Sequence, residues 1–277
     1  MTTSNSKNFE IDVAEYIEEA FERCGLELRT GYDLKTAKRS MNLLFADWAN
    51  RGLNQWTIDQ TSITVASGVS EYPAGTLTLS VSASGSFSVG ETITGGTSAA
   101  TAIITSKPTS STVATTIPVG TFSSGETITG GTSAATTTVS AVQDLSDVQS
   151  TIDILSTVVT RDGTDFAIDR LSRSEFLNIP TKTQTGRPNQ FFLDRQITPV
   201  LKIWPVPDNN TDILKFNRLT RIEDADAFTD TMDVPFRFYP CLAAGLAYYL
   251  SMKKNPQMMG MLKSIYEEEM IRAMEED

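Results

Sequence analysis

Residues 90–101 read GETITGGTSAAT, and residues 125–136 repeat them letter for letter, an offset of 35. The spacing Gly90-x4-Gly95-Gly96-Thr97 is close to that of a phosphate-binding loop. Such a loop needs a lysine where this chain has Gly96, and Gly131 in the second copy. Without that ammonium nothing reaches the terminal phosphates. The loop also needs a buried strand before it and a helix after it. The flanks, SVSASGSFSV and ATAIITS, instead alternate apolar and hydroxyl residues, which is the period of a strand. The cassette is therefore read as structure. Phe-Ser-x-Gly-Glu makes a turn, Thr-Ile-Thr a short strand and Gly-Gly-Thr-Ser a second turn, before a strand returns. Two copies make two hairpins, enough for a small sheet or barrel that one copy could not sustain.

The repeats sit in a stretch with its own style. From Thr76 to Ser140 nearly half the residues are Ser or Thr. Lys107 is the one base, and the one aromatic pair, Phe87 and Phe122, holds the same place in each repeat. Outside this stretch the composition is ordinary. Residues 9–27 form an amphipathic helix, with Val13, Ile17, Phe21 and Cys24 opposite Glu15, Glu18, Glu19 and Glu22, and Gly25 ends it. Residues 32–50 form a second helix, capped by Asp33 and stopped by Gly52. The linker LELRTGY is short, so these two are expected to pair antiparallel. Strands follow at 56–65 and before Pro73, then after the insert. Residues 148–172 form a hairpin about Arg161-Asp162-Gly163-Thr164. SRSEFLNIP is a short helix or a turn, and QFFLDRQITPVLKIWPVPD and ILKFNRLT supply three more strands. Helices at 235–253 and 256–275 close the chain, the last begun by Pro256.

The expected fold class is α+β. The N- and C-terminal helix pairs form a helical bundle, and a central antiparallel β region carries an inserted small β module made of two repeats. The boundaries fall at 1–73, 74–147, 148–222 and 223–277. The insert is expected to interrupt a hairpin connection between Tyr72-Pro73 and Val148.

Composition narrows the chemistry. The chain has 277 residues, a net charge of −11 and no histidine. The commonest general base and the commonest zinc ligand are both missing, so Ser-His-Asp and Cys-His arrangements are excluded. Cys24 and Cys241, each in an apolar helical pattern, read as buried free thiols. The acidic balance argues against a surface built to neutralise phosphates. No apolar run is long enough to span a membrane, and the opening MTTSNSKNFEIDVAEY lacks the basic and apolar regions of a signal peptide.

Other motifs read as structure too. EDADAFTDTMD, at 223–233, lacks the Gly and Glu of a calcium loop and is expected to be a solvated loop capping the helix that begins near Pro235. The small face of that helix, Ala243, Ala244, Gly245 and Ala247, permits close packing, inside the chain or against a neighbouring subunit. Arg187, Arg195, Arg218 and Arg221 are expected to pair with the surplus acids. The acidic terminus YEEEMIRAMEED is a solvated helix end, or a surface that repels DNA along a channel.

The phrases RDGTDFAIDRLSRSEFLNIPTKTQTGRPNQFFLDRQITPVLKIWPVPD, DVPFRFYPCLAAGLAYYLSMKKNP and MNLLFADWANRGLNQWTI together resemble the head-to-tail adaptor (connector) proteins of short-tailed bacteriophages. The resemblance covers residues 9–73 and 148–275. It implies a structural role in the virion neck, assembled in the host cytoplasm. The protein would form a ring, commonly of twelve subunits, joining the portal to the tail nozzle and enclosing a passage for DNA that is not bound specifically. No cofactor, metal, membrane or catalytic group is expected. Helix faces nominate Tyr249, Met259, Leu262, Tyr266 and Met270 as a subunit or portal interface. Loop position nominates Arg187, Arg195, Phe87 and Phe122 as a nozzle or tail-fibre interface, with the β module displayed outward. The alternatives are a tail-fibre or adhesin-type module binding a host glycan, and a carboxylate-dependent hydrolase, for which no acid pair stands out.

Overall fold

The computed structural model describes residues 9–52 and 55–275. Residues 1–8, where the signal-peptide features are wanting, and the last two acids of the terminus lie outside the described residues. The described chain divides into two units, residues 9–57 with 221–275, and residues 58–220.

In the first unit Asp12 decides where helix begins. Its carboxylate accepts from the Glu15 backbone N–H while the Glu15 carboxylate accepts from the Asp12 N–H. This capping box satisfies two otherwise orphaned donors and starts α1, Val13–Arg23. Gly25, at φ 66°, takes the left-handed turn after it. Helix α2 spans Gly31–Arg51 and stops at Gly52, φ 79°. Its cap is Thr30, not the expected Asp33. The Thr30 hydroxyl accepts from the Asp33 N–H, which puts Asp33 inside the first turn, where its carboxylate accepts a hydrogen bond from Lys254 Nζ at 2.5 Å.

The acidic loop 223–233 does not cap the later helix as expected. Its backbone serves α1: the Val13 and Ala14 N–H groups donate to the Asp230 and Phe228 carbonyls, both at 3.0 Å. Ile222, Ala225, Met232 and Val234 anchor the loop region in the core, so it is not simply solvated. A 3-10 turn, Phe236–Phe238, leads into α5, Tyr239–Lys254, which has no side-chain cap. Pro240 in its first turn has no N–H to satisfy. Helix α6 spans Met259–Glu275. The labels α3 and α4 belong to two five-residue helices of the second unit, Ser146–Ser150 and Arg173–Leu177.

Helices α1 and α2 pack chiefly on α5 and more lightly on each other. Gly245 shows why α5 lies between its neighbours. A Cβ there would sit 2.8 Å from Leu44 Cδ2 of α2 and 2.9 Å from Tyr266 Cε2 of α6. The small face of α5 is thus used inside the chain. Trp48 and Tyr266, both fully buried, meet through an indole N–H to hydroxyl bond of 2.9 Å. Cys24 and Cys241 are buried free thiols, and burial pushes the Cys241 thiol up to about 12.

The second unit holds fourteen strands: β1 (Ile58–Thr64), β2 (Glu71–Pro73), β3 (Thr78–Val81), β4 (Thr92–Gly95), β5 (Thr101–Thr109), β6 (Thr112–Thr115), β7 (Thr127–Gly130), β8 (Thr136–Ala141), β9 (Thr151–Arg161), β10 (Thr164–Ala167), β11 (Asp169–Arg170), β12 (Gln190–Asp194), β13 (Val200–Trp204) and β14 (Ile213–Thr220). They form two four-stranded sheets, β1-β14-β9-β10 and β11-β12-β13-β2, and a closed barrel, β3-β6-β5-β4-β7-β8. All pairings are antiparallel except β11 with β12. Asp162 and Gly163, both at positive φ, make the expected tight turn between β9 and β10.

The barrel is the repeat module. Closure removes the free edges that two isolated hairpins would expose. The insertion point differs from expectation, because β2 pairs with β13 and β9 with β14, so the barrel joins two sheets and does not interrupt a hairpin. Its two ends are clasped together. The Thr76 N–H donates to Asp147 Oδ2 at 2.7 Å, and Thr151 Oγ1 donates to the Ala74 carbonyl at 2.6 Å. Buried Arg218 binds Asp147 at 2.6 Å and Asp59 at 2.9 Å.

Candidate functional site

The cassette turns offer a ring of backbone donors, the geometry that would hold a phosphate. Each is already filled. In the first turn the Thr97 N–H, Ser98 N–H and Ser98 hydroxyl donate to the Glu126 carboxylate at 3.1, 2.9 and 2.8 Å. In the second turn Thr132, Ser133 and the Ser133 hydroxyl donate to Glu91 at 3.1, 2.9 and 2.8 Å. Each glutamate also accepts locally at 2.6 Å, Glu91 from the Ser88 N–H and Glu126 from the Ser123 N–H. The glutamate of each repeat thus occupies the anion nest of the other.

The backbone is shaped for this. Ala99 and Ala134 both take positive φ, 56° and 53°, to curl the turn around the carboxylate. A Cβ on Gly95 would lie 2.7 Å from Glu126 Oε2, and one on Gly130 would lie 2.6 Å from Glu91 Oε2. Burial disfavours ionisation of both acids, but the donated hydrogen bonds outweigh it. Glu91 is held below its ordinary range, and Glu126 falls to about 2.

The nominated interface residues divide. Phe87 and Phe122 lie in the barrel core with Ile93, Ile128 and Leu79, so they cannot meet a nozzle or fibre. Arg187 is exposed and stacks on the Phe166 ring, its guanidinium carbon 3.7 Å from the centroid. Arg195 pairs with Asp153 at 2.5 Å, which Arg170 also binds, as expected of a base among surplus acids. On α6, Leu262, Tyr266 and Met270 lie in the core of the first unit and are closed to a partner. Tyr249 is half-buried and Met259 exposed.

What the helical stripe missed is the other side of α6. Met261, Ile265, Ile271 and Met274 stand in solvent beside Met259. A second exposed apolar zone surrounds a groove of about 500 Å³ in the same unit, between Phe9, Tyr16, Phe236 and Tyr239. The Tyr16 hydroxyl there is buried without a hydrogen-bond partner among the described residues, and burial raises its pKa well above the ordinary tyrosine value. Among the described residues no group of His, Cys, Asp and Glu is placed to hold a metal ion, and no helix is long and apolar enough to cross a membrane. No family model matches the chain, and no curated protein matches it.

Proposed function

We propose that this chain is a structural protein of the virion, a ring-forming head-to-tail adaptor that joins portal to tail nozzle around the DNA passage. The observation that carries the reading is α6. It buries one side through Leu262, Tyr266, Met270 and Ala273, yet exposes five large apolar residues on the remainder. An apolar surface of that kind marks contact with another protein. In the ring reading the four long helices act as a bundle packing subunit on subunit, and α6 meets the next copy or the portal. The likeness of residues 9–73 and 148–275 to short-tailed phage adaptors supports the same assignment.

The barrel fits this reading as an addition to the adaptor. Its ends leave and return at one clasp, so the sheets beneath it need no residue from 78–141 for their own pairing. Its outward face, and not Phe87 or Phe122, would dock a fibre or nozzle subunit. The test is the native mass of the purified protein, alone and mixed with a portal ring. A ring, free or formed on the portal, is the expected result. A stable trimer indifferent to the portal would overturn it in favour of a glycan-binding fibre module.

A further inference from the structure

In a chain with eleven more acids than bases, α2 turns a basic face to solvent. Lys35, Lys38, Arg39, Leu43 and Phe228 line a groove of about 660 Å³. Lys38 donates to the Asp226 backbone carbonyl and pairs with its carboxylate at 3.4 Å. Lys254 is taken by Asp33. Lys35 and Arg39 have no carboxylate partner among the described residues. Nearby Lys253 donates to Ser40 Oγ at 2.7 Å, and burial together with the Arg39 charge holds it below the ordinary lysine range. Like charges gathered without a counter-charge repel one another, and a partner bearing carboxylates relieves that repulsion. The floor is apolar: Leu43 is 53% exposed and Phe228 37%.

The complement stands on the same unit. The outer side of α6 carries Glu267, Glu268, Ile271, Met274 and Glu275, at spacings of three, four and seven that share a helix face. Ile271 and Met274 are 57% and 46% exposed. Glu267 binds Arg51, and Glu268 binds Arg272 on its own helix, so the face keeps acids in excess. Because Leu262, Tyr266 and Met270 fix the opposite side of α6 in the core, this face cannot turn into the groove of its own chain. We infer that the α2 groove of one copy takes the acidic and apolar outer face of α6 from the next copy. This rests on the ring reading and gives it a contact: groove to ridge is heterologous, and repeats around a ring when the rotation closes. A phosphate backbone would satisfy the cations but leave Leu43 and Phe228 uncovered; a helix bearing Ile and Met covers both.

The test uses two full-length variants, one with Lys35→Glu and Arg39→Glu, the other with Glu268→Lys and Glu275→Lys. All substituted side chains are exposed or at the helix end. Self-association is followed by sedimentation velocity, with circular dichroism checking each fold. Each variant alone is expected to associate about tenfold or more weakly than wild type, since two charges are reversed. Mixed, they should recover assembly, because acidic groove then meets basic ridge and basic groove meets acidic ridge. Should a reversal unfold the chain, Lys35→Gln with Arg39→Gln is expected to weaken association without repulsion. Variants that each assemble like wild type would overturn the groove contact and leave the ring reading standing. A wild type that stays monomeric alone and on a portal ring would overturn both. Loss of binding to a short DNA duplex in the Lys35→Glu, Arg39→Glu variant, with self-association intact, would assign the groove to phosphate and overturn the inference.

Discussion

Replacing Glu126 by Gln removes the charge from one anion nest and leaves its shape. The carboxylate takes donors on both oxygens: Thr97 and Ser98 N–H on Oε2, and Ser123 N–H on Oε1. The glutamine oxygen keeps the pair from the other repeat when its amide nitrogen sits at the Oε1 position. That nitrogen then faces the Ser123 N–H, donor against donor. One charge-assisted bond is lost and the others become neutral, which together cost about 2–3 kcal/mol. Glu126→Ala leaves all three backbone donors without their acceptor and costs more, about 3–5 kcal/mol after water enters. Amide hydrogen exchange reads the site directly. Glu126→Ala should deprotect Thr97 and Ser98, in the other repeat, along with Ser123, while Thr132 and Ser133 stay protected under Glu91. Glu91→Ala should give the mirror pattern. Deprotection confined to the mutated repeat, or none at all, would refute the crossed lock. The same lock has a pH signature. The folded pKa of each acid lies below its unfolded value of 4.5, so its stabilisation is complete above that value. It is lost as pH falls from there toward about 2, the folded value for Glu126. The barrel melting temperature should drop across that window in wild type and respond less in the double Gln variant.

Three further outcomes follow from packing. Gly245→Ala places a methyl 2.8 Å from Leu44 and 2.9 Å from Tyr266, so urea denaturation should show a loss of about 1–3 kcal/mol despite the better helix propensity of alanine; a gain would refute the close approach of α2, α5 and α6. Arg218→Met strips the counter-charge from Asp59 and Asp147, which keep partial access to water, so the loss should be about 2 kcal/mol by thermal denaturation and should fall on the β1-β14-β9 sheet. Replacing residues 77–143 by a short Gly-Ser link keeps Thr76, Asp147 and Arg218; because Gly75 lies against Val148, amide protection in β9 and β14 should persist, and its collapse would show that the sheets need the barrel.

Much of the fold was legible because local rules and tertiary contacts agreed. The Asp162-Gly163 turn and the left-handed stops at Gly25 and Gly52 are all readable from a few adjacent residues. The errors arose where two elements compete for one feature. Asp33 is as good a cap by type as Thr30, but Lys254, more than two hundred residues away, claims its carboxylate. The acidic loop looked like a cap for the helix after it, yet its carbonyls face α1. Interface and core are the hardest to separate, because both are apolar stripes at helical spacing. Leu262, Tyr266 and Met270 share a pattern with Met259 and Ile265, and packing against other helices, Tyr266 on Trp48 of α2 among them, decides which of them are covered.

The identity of the two cassettes has a geometric reason. Strands β4 and β7 pair with Thr94 opposite Thr129, a residue opposite its own counterpart 35 positions on. Ile93 then faces Gly130 and Gly95 faces Ile128, which is the register of a local twofold axis. About such an axis every contact between repeats is made twice. The Gly96 N–H donates to the Thr127 carbonyl, and Gly131 donates to that of Thr92. Each residue therefore meets the other copy's version of its partner. Gly95 must stay bare for Glu126, and Gly130 for Glu91, so a change in one cassette damages a contact whose other half lies in the unchanged one. The anion nest that resembles a phosphate loop in one copy is completed by the glutamate of the second, which is why the module needs two.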